Sequence, residues 1–141
     1  MRNRVTRLPK FADSRGWSLN DIYGMFDGYP YQVNYSILYP GIIKAWHRHE
    51  HQDDYFCILK GMAQVGIYTD ENGPEKFFIG EHNPAVVHVK AGEWHGLTAT
   101  GNEPCGLLYL VTQKYNSNTP DEERTGAFEF VGEDWWLPEN K

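Results

Sequence analysis

Three histidines and one carboxylate are spaced so that a β-scaffold could bring them together. His47 and His49 are two residues apart, Asp54 follows five positions after His49, and His95 stands three residues behind Gly92 in Gly92-Glu93-Trp94-His95. Side chains alternate across a strand, so a His-x-His pair shares one face. A short turn over residues 50–53 would let the next strand return antiparallel and bring Asp54 beside that pair, and a further strand could deliver His95. Imidazole and carboxylate together suit a divalent transition ion such as Zn²⁺, Ni²⁺, Fe²⁺ or Mn²⁺. A second chemistry also fits a histidine of this kind. Taking a proton from carbon next to a carbonyl needs a base that is largely unprotonated near neutral pH. Inverting that carbon then needs a proton from the opposite side, which a phenol can supply, and a group that stabilises the enolate oxygen meanwhile.

The elements that must position these groups read as strands. Short runs rich in Val, Ile, Tyr and Phe fall near residues 31–38, 42–48, 54–59, 62–69, 75–79, 86–90, 95–99, 105–112 and 127–131. Tyr39-Pro40-Gly41, Asp70-Glu71-Asn72-Gly73-Pro74, Asn83-Pro84 and Gly101-Asn102-Glu103-Pro104 punctuate them as turns. No long stretch keeps a helical period. Evenly spaced strands of this kind predict an all-β, double-sheet jelly roll over residues 1–141 as one domain. The polar stretch 116–126 reads as a loop that could cover the mouth of such a barrel.

Composition narrows the function classes. Aromatic residues at 15% fit a β-rich enzyme better than a disordered or fibrous chain. A net charge of −6 without any basic stripe argues against a nucleic-acid partner. Arg2, Arg4 and Arg7 are followed by no apolar run, and no segment approaches the roughly 20 apolar residues of a membrane span, so a cytoplasmic location is expected. Cys57 and Cys105 lie in apolar runs without a Cys-x-x-Cys spacing, which favours two reduced thiols.

The two histidine segments resemble both signature motifs of the cupin superfamily, small β-barrels (double-stranded β-helices) whose motifs give three histidines and one acid to a metal. Asp54 stands where cupins usually carry glutamate, and Lys90 and Ala99 where the second motif usually has proline and asparagine. A second resemblance overlaps the first. Asp13-Ser14-Arg15-Gly16-Trp17, then Gln32-x-Asn34-x-Ser36, then Gly41 to His47, Gly92-x-x-His95-Gly96, and Tyr109 six residues before Tyr115 are similar in order and spacing to the dTDP-4-dehydrorhamnose 3,5-epimerases. The resemblance covers about residues 13–126. It implies His47 as the base next to a keto group, Tyr109 as the acid on the opposite face, and Tyr115 stacked near a sugar nucleotide. It also implies substrate-binding roles for Arg15, Gln32, Asn34 and Lys44, with Arg15 on a diphosphate.

Departures from that pattern are informative. Lys44 replaces an arginine, keeping the charge but losing the two-pronged fork for phosphate. His49 replaces a glutamine, and Asp54 replaces the lysine that would hold the enolate, so a cation becomes an anion. Those two changes would convert a metal-free site into a metal site. Either His47 is the base and the metal sits on His49, Asp54 and His95, or His47 is a fourth ligand and another group abstracts the proton. The acid that would orient His47 has no single counterpart, with Glu129, Glu133 and Asp134 all in the region. Ser18 and Asn20 stand where an aromatic and a glutamate would contact the nucleotide base.

Other singled-out residues keep two readings. His51, His82 and His88 fit structural or solvated positions. Trp46 and Trp94 could wall a sugar face or pack a core, and Trp135-Trp136 would pack the C-terminal tail. The expected function is epimerisation or ketone shift of a nucleotide-linked 4-keto-6-deoxyhexose. The alternatives are a metal-dependent cupin enzyme of another class, such as a dioxygenase, and a carbohydrate-binding barrel without turnover. Exposed sheet edges predict a homodimer.

Overall fold

The computed structural model describes residues 3–137. Twelve strands are present in that range: β1 (Val5–Arg7), β2 (Lys10–Asp13), β3 (Gly16–Leu19), β4 (Gln32–Leu38), β5 (Ile43–Arg48), β6 (Asp54–Lys60), β7 (Met62–Thr69), β8 (Gly73–Gly80), β9 (Ala85–Val89), β10 (Trp94–Ala99), β11 (Cys105–Val111) and β12 (Glu123–Arg124). They form two five-stranded antiparallel sheets, in the orders β1-β9-β6-β11-β4 and β12-β5-β10-β7-β8, with β2 and β3 as a separate hairpin. The long strands match the apolar runs expected from sequence to within a few residues. β1 to β3 were not expected, because they are short and carry no alternating apolar signal.

The two inner faces enclose Leu38, Phe56, Ile58, Val65, Ile67, Ile79, Val87, Val89, Leu97 and Leu107, all buried. Each such side chain contributes about 1.5–3 kcal/mol of transfer free energy. Gly61 turns β6 into β7 with φ +72°, and a Cβ there would come within 3.0 Å of the Pro104 carbonyl. Only glycine combines that conformation with that clearance.

The strand expected at 127–131 is instead a cap of turns running into a 3-10 turn at Glu133–Trp136. The reason is where its polar groups go. The indole N–H groups of Trp46 and Trp136 both donate to the Ala127 carbonyl, at 3.1 and 3.0 Å, rather than leaving it for a ladder. Phe130 stacks flat on Tyr68 at 4.0 Å, and Trp46, fully buried, meets Phe130, Trp135 and Trp136. Trp94 also packs on Phe130, under the Arg48 guanidinium. Trp46 and Trp94 therefore face the cap on the outside of the second sheet, and neither lines the cavity.

Candidate active site

The local fold of β5 decides which side chains face inward. In its pairing with β10, His47 opposes His95, while Ala45 opposes Gly96 and Lys44 opposes Leu97. Trp46 is thus an extra residue, a β-bulge that reverses the alternation of the strand. Its N–H and C=O are not orphaned, since both pair with Thr125 at 3.1 Å. Lys44 and His47, three residues apart, consequently line the same cavity while Trp46 points out. Gly96 permits the close approach, because a Cβ there would lie 2.4 Å from the Ala45 Cβ and 2.7 Å from the Lys44 carbonyl.

Asp54 meets the histidines differently from the expected hairpin. β5 and β6 belong to different sheets, so residues 49–53 cross from one to the other and Asp54 faces His49 and His95 across the interior. Asp54 Oδ2 lies 3.3 Å from His49 Nε2 and 3.5 Å from His95 Nε2. The outer nitrogens are committed to backbone oxygens: His49 Nδ1–H donates to Asp121 C=O at 2.6 Å, and His95 Nδ1–H to Glu93 C=O at 3.3 Å. Both Nε2 atoms are thereby presented to Asp54, and Gln52 Nε2–H holds its other oxygen at 2.6 Å. The three candidate ligand atoms lie within 4.8 Å of one another. Donor atoms around a tetrahedral ion with bonds of about 2.1 Å sit roughly 3.4 Å apart, so the donor chemistry and the two Asp54–histidine separations fit a divalent ion. The same contacts also make an ion pair. Burial opposes charge on His49, but Asp54 and the Asp121 carbonyl outweigh it and raise its pKa to about 9, whereas burial drives His95 down to about 4 despite Asp54.

His47 stands outside this trio. Its Nδ1 is 2.8 Å from Glu122 Oε1, so the ring donates there and keeps Nε2 as its basic atom. The orienting acid is therefore Glu122 and none of Glu129, Glu133 or Asp134. Burial acts against the Glu122 carboxylate, yet Arg124, at 3.0 Å, and His47 hold its pKa below the usual range. Neighbouring Asp121 caps the N–H groups of Glu50 and His51, at 2.8 and 2.9 Å. Pairing of β12 with β5 places Arg124 opposite His47 and Glu123 opposite Arg48, which brings residues 121–124 over both histidines.

The cavity holds about 1200 Å³ and opens to solvent. His47 and Lys44 border it from the second sheet, and Tyr109, Asn34, Gln32 and Asp54 from the first, with Phe56, Leu97 and Leu107 as its apolar floor. Tyr115, in the loop between β11 and β12, and Arg124, on β12, lie at the polar rim. Burial raises the Tyr109 pKa and the Asp54 charge adds to this, while a hydrogen bond from Asn34 partly offsets both. Arg15 is the expected site residue that this chain does not bring in. It sits at the tip of the β2–β3 hairpin, paired with Asp13 and almost fully exposed. His88 pairs with Asp53 at 2.8 Å and stacks on Tyr55, a structural role away from the cavity.

Residues 12–123 match the model of the polysaccharide biosynthesis C-terminal domain. The chain belongs to that family. Two curated relatives of this polysaccharide biosynthesis domain lie close in sequence. A probable low-salt glycan biosynthesis epimerase of Haloferax volcanii, Agl13, is 42% identical over 130 residues, covering 85% of this chain and 83% of the relative. The spore coat polysaccharide biosynthesis protein SpsL of Bacillus subtilis is 33% identical, covering 86% and 85%. Among solved structures, a dTDP-6-deoxy-D-glucose-3,5-epimerase of Legionella pneumophila in complex with dTDP-4-keto-L-rhamnose superposes with a TM-score of 0.80 at 15% identity, covering 96% of this chain and 79% of that one. At that identity the likeness establishes the fold, which is the cupin jelly roll expected from sequence. No helix among the described residues of this polysaccharide biosynthesis domain is long and apolar enough to cross a membrane.

Proposed function

We propose that this chain epimerises a 4-keto-6-deoxyhexose carried on a nucleotide, with His47 as base and Tyr109 as acid. The observation that carries the reading is the disposition of the two groups. His47 stands on one sheet, with Glu122 from the loop before β12 at its Nδ1, and Tyr109 stands on the facing sheet, with the cavity between them. His47 Nε2 takes the proton from the carbon beside the ketone, the C–H electrons form the enolate, and Tyr109 returns a proton to that carbon from the opposite face as the ketone re-forms. Glu122 stabilises the imidazolium formed in the first half. Lys44 and Arg124, both at the cavity, supply positive charge for a diphosphate. The likeness to the glycan biosynthesis epimerase Agl13 and to the Legionella epimerase supports the same class.

His49, Asp54 and His95 would hold a divalent ion, Zn²⁺, Ni²⁺, Fe²⁺ or Mn²⁺, beside this path. Such an ion supplies Lewis-acid stabilisation of an enolate oxygen, the service for which this chain has aspartate at position 54 in place of lysine. His47 then remains free as base. A homodimer in the cytoplasm completes the proposal. It is supported by the exposed Phe11 and Trp17 of the β2–β3 hairpin, by the apolar outer side of edge strand β4 (Val33, Tyr35, Ile37), and by two free buried cysteines.

The test is proton-to-deuterium exchange into dTDP- and UDP-linked 4-keto-6-deoxyglucose followed by NMR, with metal analysis of the same preparation. Exchange and inversion beside the ketone, lost in His47→Ala, are expected. A wild-type protein that exchanges neither compound would end the epimerase reading, and a metal-free protein of full activity would end the metal reading alone.

A further inference from the structure

Tyr109 and Asn34 are directly opposed partners in the antiparallel pairing of β11 with β4, and both line the cavity. Directly opposed side chains on one face of such a pair are within contact distance. A relay of hydrogen bonds engages the oxygen end of the Asn34 amide and leaves its NH₂ for the phenol. The backbone N–H of Tyr115 can only donate, and it donates to Gln32 Oε1 at 3.2 Å. Gln32 must then offer its Nε2–H to the next residue inward, and it does, to Asn34 Oδ1 at 2.8 Å. With its oxygen engaged by Gln32, Asn34 has its Nδ2–H₂ left to offer to the directly opposed Tyr109.

We infer that Asn34, held by Gln32, is a positioning residue that acts through Tyr109, donating to the phenol oxygen so that the phenol's own proton points at the substrate. A donor on the oxygen does two things. It leaves the O–H as the only hydrogen free to move, and it stabilises the phenolate that remains once that proton has gone to carbon. The deprotonation by His47 on the facing sheet needs none of this. Asn34 therefore belongs to the second half of the reaction. Tyr115 gains a role as well, since its backbone N–H starts the relay that sets the amide.

The inference rests on the proposed roles of His47 and Tyr109, and the experiment separates the two. Wild type, Tyr109→Phe, Asn34→Ala and Asn34→Asp are incubated in D₂O with dTDP- and UDP-linked 4-keto-6-deoxyglucose, and NMR follows deuterium entry with retention and with inversion separately. Tyr109→Phe is expected to keep exchange while inversion falls on the order of 100-fold or more, the scale of a lost general acid. Asn34→Ala should share that signature in milder form, with exchange and KM within about twofold and inversion down about tenfold or more. Asn34→Asp, isosteric but without the donor, should behave like the alanine variant. If exchange and inversion fall together in Asn34→Ala while KM rises, Asn34 is a substrate-binding residue and the inference is overturned. If Asn34→Asp inverts at the wild-type rate, the donor has no role. Should Tyr109→Phe itself fail to split exchange from inversion, or wild type exchange neither probe, the underlying reading falls and takes this one with it.

Discussion

Replacing Glu122 by glutamine isolates the charge of the dyad from its shape. The amide occupies the same volume and can still accept from His47 Nδ1–H, so the ring keeps its orientation and loses only its anionic partner. Two unit charges about 4 Å apart interact by roughly 4 kcal/mol at an effective dielectric constant of 20. The His47 and Glu122 side chains are 25% and 26% exposed, and Arg124 already neutralises part of the carboxylate. The share realised as the imidazolium forms is therefore smaller, about 1.5–3 kcal/mol, which is the range of hydrogen bonds to charged groups. That corresponds to a loss of roughly 10- to 150-fold in kcat. KM should stay within about twofold, because Glu122 acts on the substrate through His47. The assay is the initial rate of deuterium entry beside the ketone at saturating substrate, with His47→Ala setting the floor. A Glu122→Gln variant within twofold of wild-type kcat, or one whose defect lies wholly in KM, would refute the dyad.

The other expectations are quick to check. Metal analysis of Asp54→Ala, His49→Ala and His95→Ala should show a loss of at least tenfold in bound ion, whereas His47→Ala should retain it; a parallel loss in His47→Ala would make that residue a fourth ligand. In the metal-free protein His49 is protonated below its pKa of about 9 and His95 is neutral above about 4, so zinc uptake at pH 7.5 should release close to one proton from this pair, falling towards zero above pH 10. Calorimetry in buffers of different ionisation enthalpy reads that number. Gly96→Ala should destabilise by about 1–3 kcal/mol through its clash with Ala45 and Lys44, seen as a lower melting temperature by circular dichroism. Val33→Glu together with Ile37→Glu should dissociate the proposed homodimer in light scattering, leaving the melting curve two-state.

Much of the barrel was legible because its inner strands carry alternating Val, Ile and Phe bounded by Gly, Pro and Asn. His49, Asp54 and His95 could be grouped for the same reason, since strand periodicity places them on inward faces. Periodicity could not reveal that Asp54 arrives from the facing sheet, because a connection as short as the five residues 49–53 serves a hairpin and a sheet-to-sheet crossing equally well. Nor could it reveal the bulge at Trp46, which is a matter of pairing with β10. Glu122 was missed for a different reason. It lies 75 residues from His47 in a polar loop without period, and the only hint is a run of acids, Asp121-Glu122-Glu123, where a surface loop would look the same. Of the two readings open for Trp46 and Trp94, packing is the one that holds, since a neighbour in sequence on a strand points to the opposite side from the site histidine.

The bulge at Trp46 ties the orientation of the base to a part of the molecule that never meets the cavity. Upstream and downstream of it β5 runs in opposite phase, and that offset is held by an indole seated among Phe130, Trp135 and Trp136. For protein engineering this means the pocket is not a portable module. A transplant that copied every cavity-lining side chain but omitted the aromatic cap would let the strand slip back into regular pleating, and the imidazole would rotate towards the wrong side. Tags, fusions and trimmed variants that disturb residues 126–137 should accordingly be judged by turnover as well as by yield.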